Sequence, residues 1–130
     1  MDPEGRLMKT TEIPTIIPKA GAPIVKITTR GEVFYAAGCE KRGADVHVFR
    51  CGHLGFRKLH GEIVEVELLT ETEYLALFMP ETIVVVPKYG DTYRGRVVEV
   101  RRKRVLVRFM TRGGKVKEIA FPVRDVGIAR

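Results

Sequence analysis

Basic side chains crowd the C-terminal part of the chain. Residues 91–130 carry 12 Lys and Arg against four Asp and Glu, whereas residues 1–90 carry 11 against 12. The formal net charge of +7 therefore comes entirely from residues 91–130. Cations at this density can neutralise phosphate groups, and such a cluster is the electrostatic footprint of a protein that binds a nucleic-acid backbone.

Two short segments concentrate these cations. Residues 101–104 (Arg-Arg-Lys-Arg) join two apolar runs, which predicts a hairpin tip in water. Residues 111–115 (Thr-Arg-Gly-Gly-Lys) place cations around a Gly-Gly turn, which predicts a second tip. The predicted interface joins both tips to the outward strand faces beside them and comprises Tyr93, Arg94, Arg96, Arg101, Arg102, Lys103, Arg104, Arg108, Arg112, Lys115 and Lys117.

Aromatic residues beside the basic segment leave two alternatives open. Tyr89 and Tyr93 flank a Gly-Asp pair, where their rings could stack on bases or pack on the core and expose only the hydroxyl. Phe109 and Phe121 alternate with apolar neighbours and are predicted to be core residues. Since the chain has no Asn or Gln, it lacks the side chains best suited to reading adenine edges.

The potential metal ligands are few and irregularly spaced. All the cysteines and histidines fall within 22 residues, at Cys39, His47, Cys51, His53 and His60. Structural zinc sites normally present close pairs such as C-x2-C, which this spacing does not offer. We expect no metal and no cofactor, and favour buried thiols over a zinc site or a disulfide between Cys39 and Cys51.

Residues able to catalyse a reaction are scarce. The chain has no Ser, and it contains no phosphate-binding loop, dinucleotide-binding fingerprint or metalloprotease motif. Glu65 and Glu67 alternate with apolar residues, which predicts a solvated strand face rather than an acid–base pair. We therefore expect a protein that is not an enzyme.

Short β-branched runs separated by Gly and charged turns predict an all-β fold. Val105, Val107 and Phe109 alternate with Leu106 and Arg108, which favours a strand over a helix. A spacing near ten residues is typical of small β-barrels and sandwiches. The predicted strands cover residues 24–29, 33–37, 44–51, 62–69, 83–86, 96–100, 105–110, 116–121 and 123–128.

One segment is predicted to be a short helix or a further strand, near residues 71–79. Thr70 and Glu73 have the spacing of a capping box. Pro80 would end a helix that began there.

Charge and composition also predict how the chain is organised. We expect an extended N-terminal arm over residues 1–22, a β-rich portion over 23–87 and a basic barrel over 88–130. No run approaches the ~18 apolar residues of a membrane span, and residues 1–20 lack the pattern of a signal peptide, so we expect a cytoplasmic protein. The absence of Asn and Gln favours an archaeal hyperthermophile.

The basic segment resembles a small SH3-like barrel of the Tudor or KOW kind. The resemblance rests on Gly90-Asp91 followed by residues 93–100 (Tyr-Arg-Gly-Arg-Val-Val-Glu-Val), and on residues 121–126 as the closing turn. Residues 101–104 replace the glycine-rich loop of a KOW motif, so the resemblance implies a barrel and not KOW membership. Barrels of this kind bind RNA, DNA, modified peptides or protein partners.

These observations predict an accessory protein that binds RNA, or less favourably DNA, through its phosphate backbone. One alternative is a protein-interaction subunit of a transcription or translation complex that docks through the acidic residues 62–73. Another is an SH3-like chromatin protein that binds DNA. A third is that the charges only solvate hairpin tips and protect edge strands.

Overall fold

The computed structural model describes residues 10–129, which form two five-stranded antiparallel sheets and very little helix. This confirms the nearly all-β class. The elements are β1 (Ile24–Thr29), β2 (Val33–Arg42), β3 (Asp45–Arg50), β4 (Arg57–Lys58), β5 (Ile63–Leu69), α1 (Glu71–Leu75), β6 (Ile83–Lys88), β7 (Asp91–Val100), β8 (Arg104–Met110), β9 (Val116–Pro122), a 3-10 turn (Val123–Asp125) and β10 (Gly127–Ile128).

The chain divides into two compact units. The first unit contains residues 10–50 and 55–71, and the second contains Cys51–Leu54 and residues 72–129. The first unit holds the sheet with the order β4-β3-β2-β1-β5, and the second holds the sheet with the order β10-β6-β7-β8-β9. The two sheets therefore belong to different units, and β6 lies in the same unit as the basic strands.

The first unit closes its core with the N-terminal segment. Thr10 exchanges two backbone hydrogen bonds with Val66 in β5, and Ile16 does the same with Cys39 in β2. Between these two contacts, Ile13 is buried among the core residues of the sheet. The described part of the predicted arm is therefore extended and packed, whereas residues 1–9 lie outside the described residues.

A bulge in β5 changes which side chains reach that core. Thr28 pairs with Glu65 but Thr29 pairs with Ile63, so Val64 is an extra residue. Because a bulge reverses the alternation of faces, Val64 is 47% exposed whereas Val66 is fully buried. Strict alternation along the sequence would place both valines on one face, and the bulge is the reason that Val64 departs from it.

The second unit is a meander of four strands whose chain end returns to its beginning. Strands β6 to β9 pair in sequence, and after the 3-10 turn β10 pairs with β6. Alternation along β8 buries Val105, Val107 and Phe109, as the sequence predicts. In β7 strict alternation is broken by a bulge at Val98, because Val97 pairs with Val107 and Glu99 with Leu106.

Two glycines allow the Cys51–Leu54 segment to pack closely against β6 and β10. A Cβ atom on Gly52 would collide with the Val85 carbonyl, and one on Gly127 would collide with the Cys51 carbonyl. Gly52 also has a φ of 84°, a conformation that favours glycine. Only residues without a side chain allow these backbones to approach so closely.

The short helix α1 confirms the helical alternative, but only over residues 71–75 of the predicted 71–79. It begins immediately after Thr70, as the capping-box pattern predicts, and ends at Leu75, before Pro80. Tyr74 is buried and its hydroxyl donates a 2.6 Å hydrogen bond to the Val126 carbonyl. Across residues 10–129, no helix combines the length and the apolar character that a membrane crossing requires.

Candidate nucleic-acid interface

Nine of the eleven predicted interface residues are exposed, and they occupy three parts of the second unit. One group lies at the β7–β8 tip, a second on the outer face of the sheet and a third at the β8–β9 tip. Because consecutive strands are antiparallel, the two tips lie at opposite ends of the sheet. The seven residues of β8 separate them, a length of roughly 23 Å.

The β7–β8 tip exposes three arginines and a lysine, at residues 101–104. The N–H of Arg101 donates to the Arg104 carbonyl (2.8 Å), which closes a tight turn around Arg102 and Lys103. Arg101 also pairs with Glu99 at 2.6 Å. Within the part of the chain that the structure describes, Arg102 and Lys103 make no ion pair. The same holds for Arg94, Arg104 and Lys115, which are exposed too, so these five cations are open to an anion.

The outer face of the sheet carries both signs of charge. Arg96 lies opposite Arg108, and Arg108 lies opposite Glu118. The Arg108 guanidinium donates a 2.7 Å hydrogen bond to the Glu118 carboxylate, and Arg96 reaches Glu81 at 3.4 Å. Such exposed pairs contribute about 0–1 kcal/mol, so a polyanion can replace the carboxylate as a partner.

The β8–β9 tip is joined to the β6–β7 tip by an ion pair. Arg112 contacts the carboxylate of Asp91 across the two turns. Gly114 has a φ of 82°, and its N–H donates to the Thr111 carbonyl at 2.9 Å. Lys115 follows and is exposed. This end of the sheet therefore gathers turns from two hairpins.

Two predicted interface residues point toward the core side of the sheet instead. Lys117 lies opposite Phe109, in the row whose side chains form the core, and is half-buried. Tyr93 is also half-buried, and its ring centroid lies 5.3 Å from that of Phe109. Phe109 and Phe121 are buried, which confirms both as core residues. The outward placement predicted for Lys117 is therefore wrong.

The β6–β7 turn exposes the other tyrosine. Lys88 pairs with Asp91, which leaves Tyr89 and Gly90 as a two-residue loop. Their φ values of 52° and 73° define a type I′ turn, in which Asn or Gly normally takes the first position. Tyr89 is 62% exposed. The predicted interface omits it, although the spacing Lys-Tyr-Gly-Asp between two alternating runs is a hairpin signal.

Both cysteines are buried, as the sequence predicts. Burial raises the pKa of the Cys39 thiol to about 11 and that of the Cys51 thiol to about 12. Both are free thiols, and Cys39 donates its proton to the Pro14 carbonyl. Residues 10–129 contain no group of three or more side chains arranged to hold a metal ion.

Comparison of the chain with models of known families, with curated proteins and with solved structures found no match. The function is therefore inferred from the geometry of the second unit alone.

Proposed function

We propose that the protein binds nucleic acid, with RNA preferred, by contacting the phosphate backbone through its second unit. The charge difference between the units carries the proposal. Residues 51–54 and 72–130 have 13 Lys and Arg against six Asp and Glu, whereas residues 1–50 and 55–71 have ten of each. An excess confined to one unit is not needed for solubility or folding, since the neutral first unit forms a sheet of the same size without it.

The strand order supports an SH3-like barrel for this unit. A meander of four strands is followed by a 3-10 turn and a short strand that pairs with the first. Residues 91–100 and 121–125, from the segments on which the resemblance rests, lie in β7, the end of β9 and the 3-10 turn of this arrangement. A curved sheet of this kind would present its outer face and the 101–104 tip on a convex surface.

Binding would work by exchange of anions. Phosphate groups would contact Arg102 and Lys103 directly, and they would replace the carboxylates that pair with Arg96 and Arg108. Each neutralised phosphate releases counterions, so the affinity falls steeply as salt rises. Because backbone contacts carry no sequence information, little sequence preference is expected.

The test is a titration of labelled RNA and DNA strands with the whole protein, at several salt concentrations between about 50 and about 200 mM. The variant Arg102→Glu/Lys103→Glu should bind about tenfold to a hundredfold more weakly, with a salt slope smaller by about two. The matched control reverses two exposed cations of the first unit, Lys41→Glu/Arg57→Glu, and should bind as the wild type does.

Two results would count against the proposal. If both double variants weaken binding equally, the second unit has no special role. If the wild type binds no strand even at low salt, backbone binding is wrong for the isolated protein. Binding that then requires a protein partner would favour the alternative of a subunit within a larger complex.

A further inference from the structure

The turn between β6 and β7 holds an unfavourable residue at an exposed position. Tyr89 adopts a φ of 52°, a left-handed conformation that is strained for a side chain of this size. Gly or Asn would fit the first position of a type I′ turn without that strain. Nothing in the folding of the hairpin requires a tyrosine there, because the ring is 62% exposed.

The surroundings of Tyr89 combine apolar surface with positive charge. The amino group of Lys88 lies 5.5 Å from the centroid of the Tyr89 ring. At the same end of the sheet, the cross-strand partners Met110 and Val116 are 60% and 59% exposed. Arg112 is exposed at the adjoining tip.

An aromatic face flanked by cations matches the chemistry of an unpaired nucleotide. The base can stack on the ring, and the phosphates on either side can meet ammonium and guanidinium groups. A paired base in a duplex cannot stack in this way, because its faces are already covered by its neighbours. Tyr93 does not compete for this role, since its ring packs on Phe109.

We propose that Tyr89 is a stacking platform for an unpaired base, so that the second unit binds single-stranded nucleic acid at the end where Lys88 and Arg112 lie. The inference rests on the proposed nucleic-acid binding and specifies its substrate class. The 101–104 tip, at the opposite end of the sheet, would contact the phosphate backbone of the strand, whatever its bases.

The experiment compares strands that differ only in their bases. An oligo(dT) strand and an abasic strand of equal phosphate number, about 12 nucleotides each, match the ~4–16 nucleotide sites of small barrels. The wild type should bind oligo(dT) on the order of tenfold more tightly than the abasic strand. Tyr89→Gly should bind both strands equally, and Tyr89→Phe should keep the preference. An oligo(U) strand distinguishes RNA from DNA as the source of the base.

Two controls make the result decisive. Since glycine suits this turn, Tyr89→Gly should melt no lower than the wild type, which separates lost stacking from lost folding. The chain has no Trp and only four Tyr, so stacking on Tyr89 should quench tyrosine emission when oligo(dT) is added, and this quenching should vanish in Tyr89→Phe.

The failures are distinguishable. If the wild type binds both strands equally with a steep salt slope, the stacking role is overturned and backbone binding stands. If Tyr89→Gly keeps the preference for oligo(dT), another residue stacks and the assignment to Tyr89 is wrong. Absence of binding to every strand, or tighter binding of an acidic peptide than of any strand, overturns both proposals.

Discussion

The two units share an architecture and differ in charge. Each holds five antiparallel strands built on a sequential meander, yet residues 1–50 and 55–71 have no net charge whereas residues 51–54 and 72–130 carry +7. The contrast is sharpest at the hairpin tips. In the β2–β3 tip of the first unit, Arg42 pairs with Glu40 and lies opposite Asp45. In the β7–β8 tip of the second unit, residues 101–104 are all cations.

The comparison separates what folding requires from what a ligand requires. Both cores are assembled from buried β-branched and aromatic residues, such as Ile27 and Val66 in the first unit and Val97 and Val107 in the second. Neither core uses the exposed arginines. Carboxylates pair with Arg96, Arg101 and Arg108, yet the net positive charge that remains in the second unit opposes folding through repulsion. The proposed anionic partner would account for that excess.

The largest expected effect concerns the stability of the second unit. Gly127→Ala should lower the free energy of unfolding by about 3 kcal/mol or more, because its Cβ would meet the Cys51 carbonyl. The control Gly113→Ala has only one atom, Thr111 Oγ1, within 4 Å of its Cβ, at 3.9 Å. It should stay within about 0.5 kcal/mol of the wild type. Urea denaturation followed by tyrosine emission reports chiefly on this unit, because it contains Tyr74, Tyr89 and Tyr93. Equal urea midpoints for the two variants would contradict the close packing of Cys51–Leu54 on Gly127.

A smaller effect is expected on the pH dependence of stability, because each unit contains one buried thiol. Burial raises the pKa of Cys39 from 9.0 to about 11 and that of Cys51 from 9.0 to about 12. Above pH 9 the unfolded thiols lose protons that the native thiols keep. Stability is therefore fully present below pH 9 and falls as the pH rises toward 11 or 12, by about 1 kcal/mol per thiol between about pH 8 and about pH 10.

Urea denaturation at those two pH values measures the thiol contribution directly. Cys39→Ala and Cys51→Ala should each show a flatter pH dependence than the wild type, whatever their stability at pH 8. If either variant keeps the pH dependence of the wild type, the thiol that it lacks ionises as readily in the native state as in the unfolded state.

The smallest expected effect sharpens the contrast in charge. Glu118→Ala frees Arg108 from its carboxylate partner and should strengthen binding of a nucleic-acid strand about twofold to fivefold, with a slightly steeper salt dependence. The matched variant Glu62→Ala frees Arg30 in the first unit and should leave binding unchanged. Titrations at several low salt concentrations measure both the affinity and its salt dependence. A gain in the Glu62 variant as large as that in the Glu118 variant would show that net charge, and not its position, controls binding.

Alternation and turn residues predicted most of the strands but could not locate the bulges. Strand β1 has the predicted bounds, Ile24–Thr29, because a clean apolar run is enclosed by turn residues. The faces of Val64 and Val98 were reversed since each is an extra residue opposite a regular partner strand. Strand β4 was missed because Arg57 and Lys58 are two adjacent charged residues without any alternation.

In the candidate site too, features set by adjacent residues were predicted and features set by distant residues were not. The tip at residues 101–104 is a local feature and was predicted. Lys117 was placed on the wrong face because its orientation depends on the register that sets it opposite Phe109. The Arg96–Glu81 pair joins residues 15 positions apart and depends on how the segment before β6 lies against β7, which composition does not reveal.

The Cys51–Leu54 segment has a consequence for how this protein can be made and divided. These residues leave the ribosome before residues 55–71 complete the first unit, yet they must wait for β6 and β10 before they have neighbours. The first unit can therefore fold earlier during synthesis, while the second can finish only after β10 has emerged. No single cleavage releases both units whole. A gene fragment beginning at residue 72 would encode a second unit that lacks its Gly52 contact, so recombination could not exchange these units as simple modules.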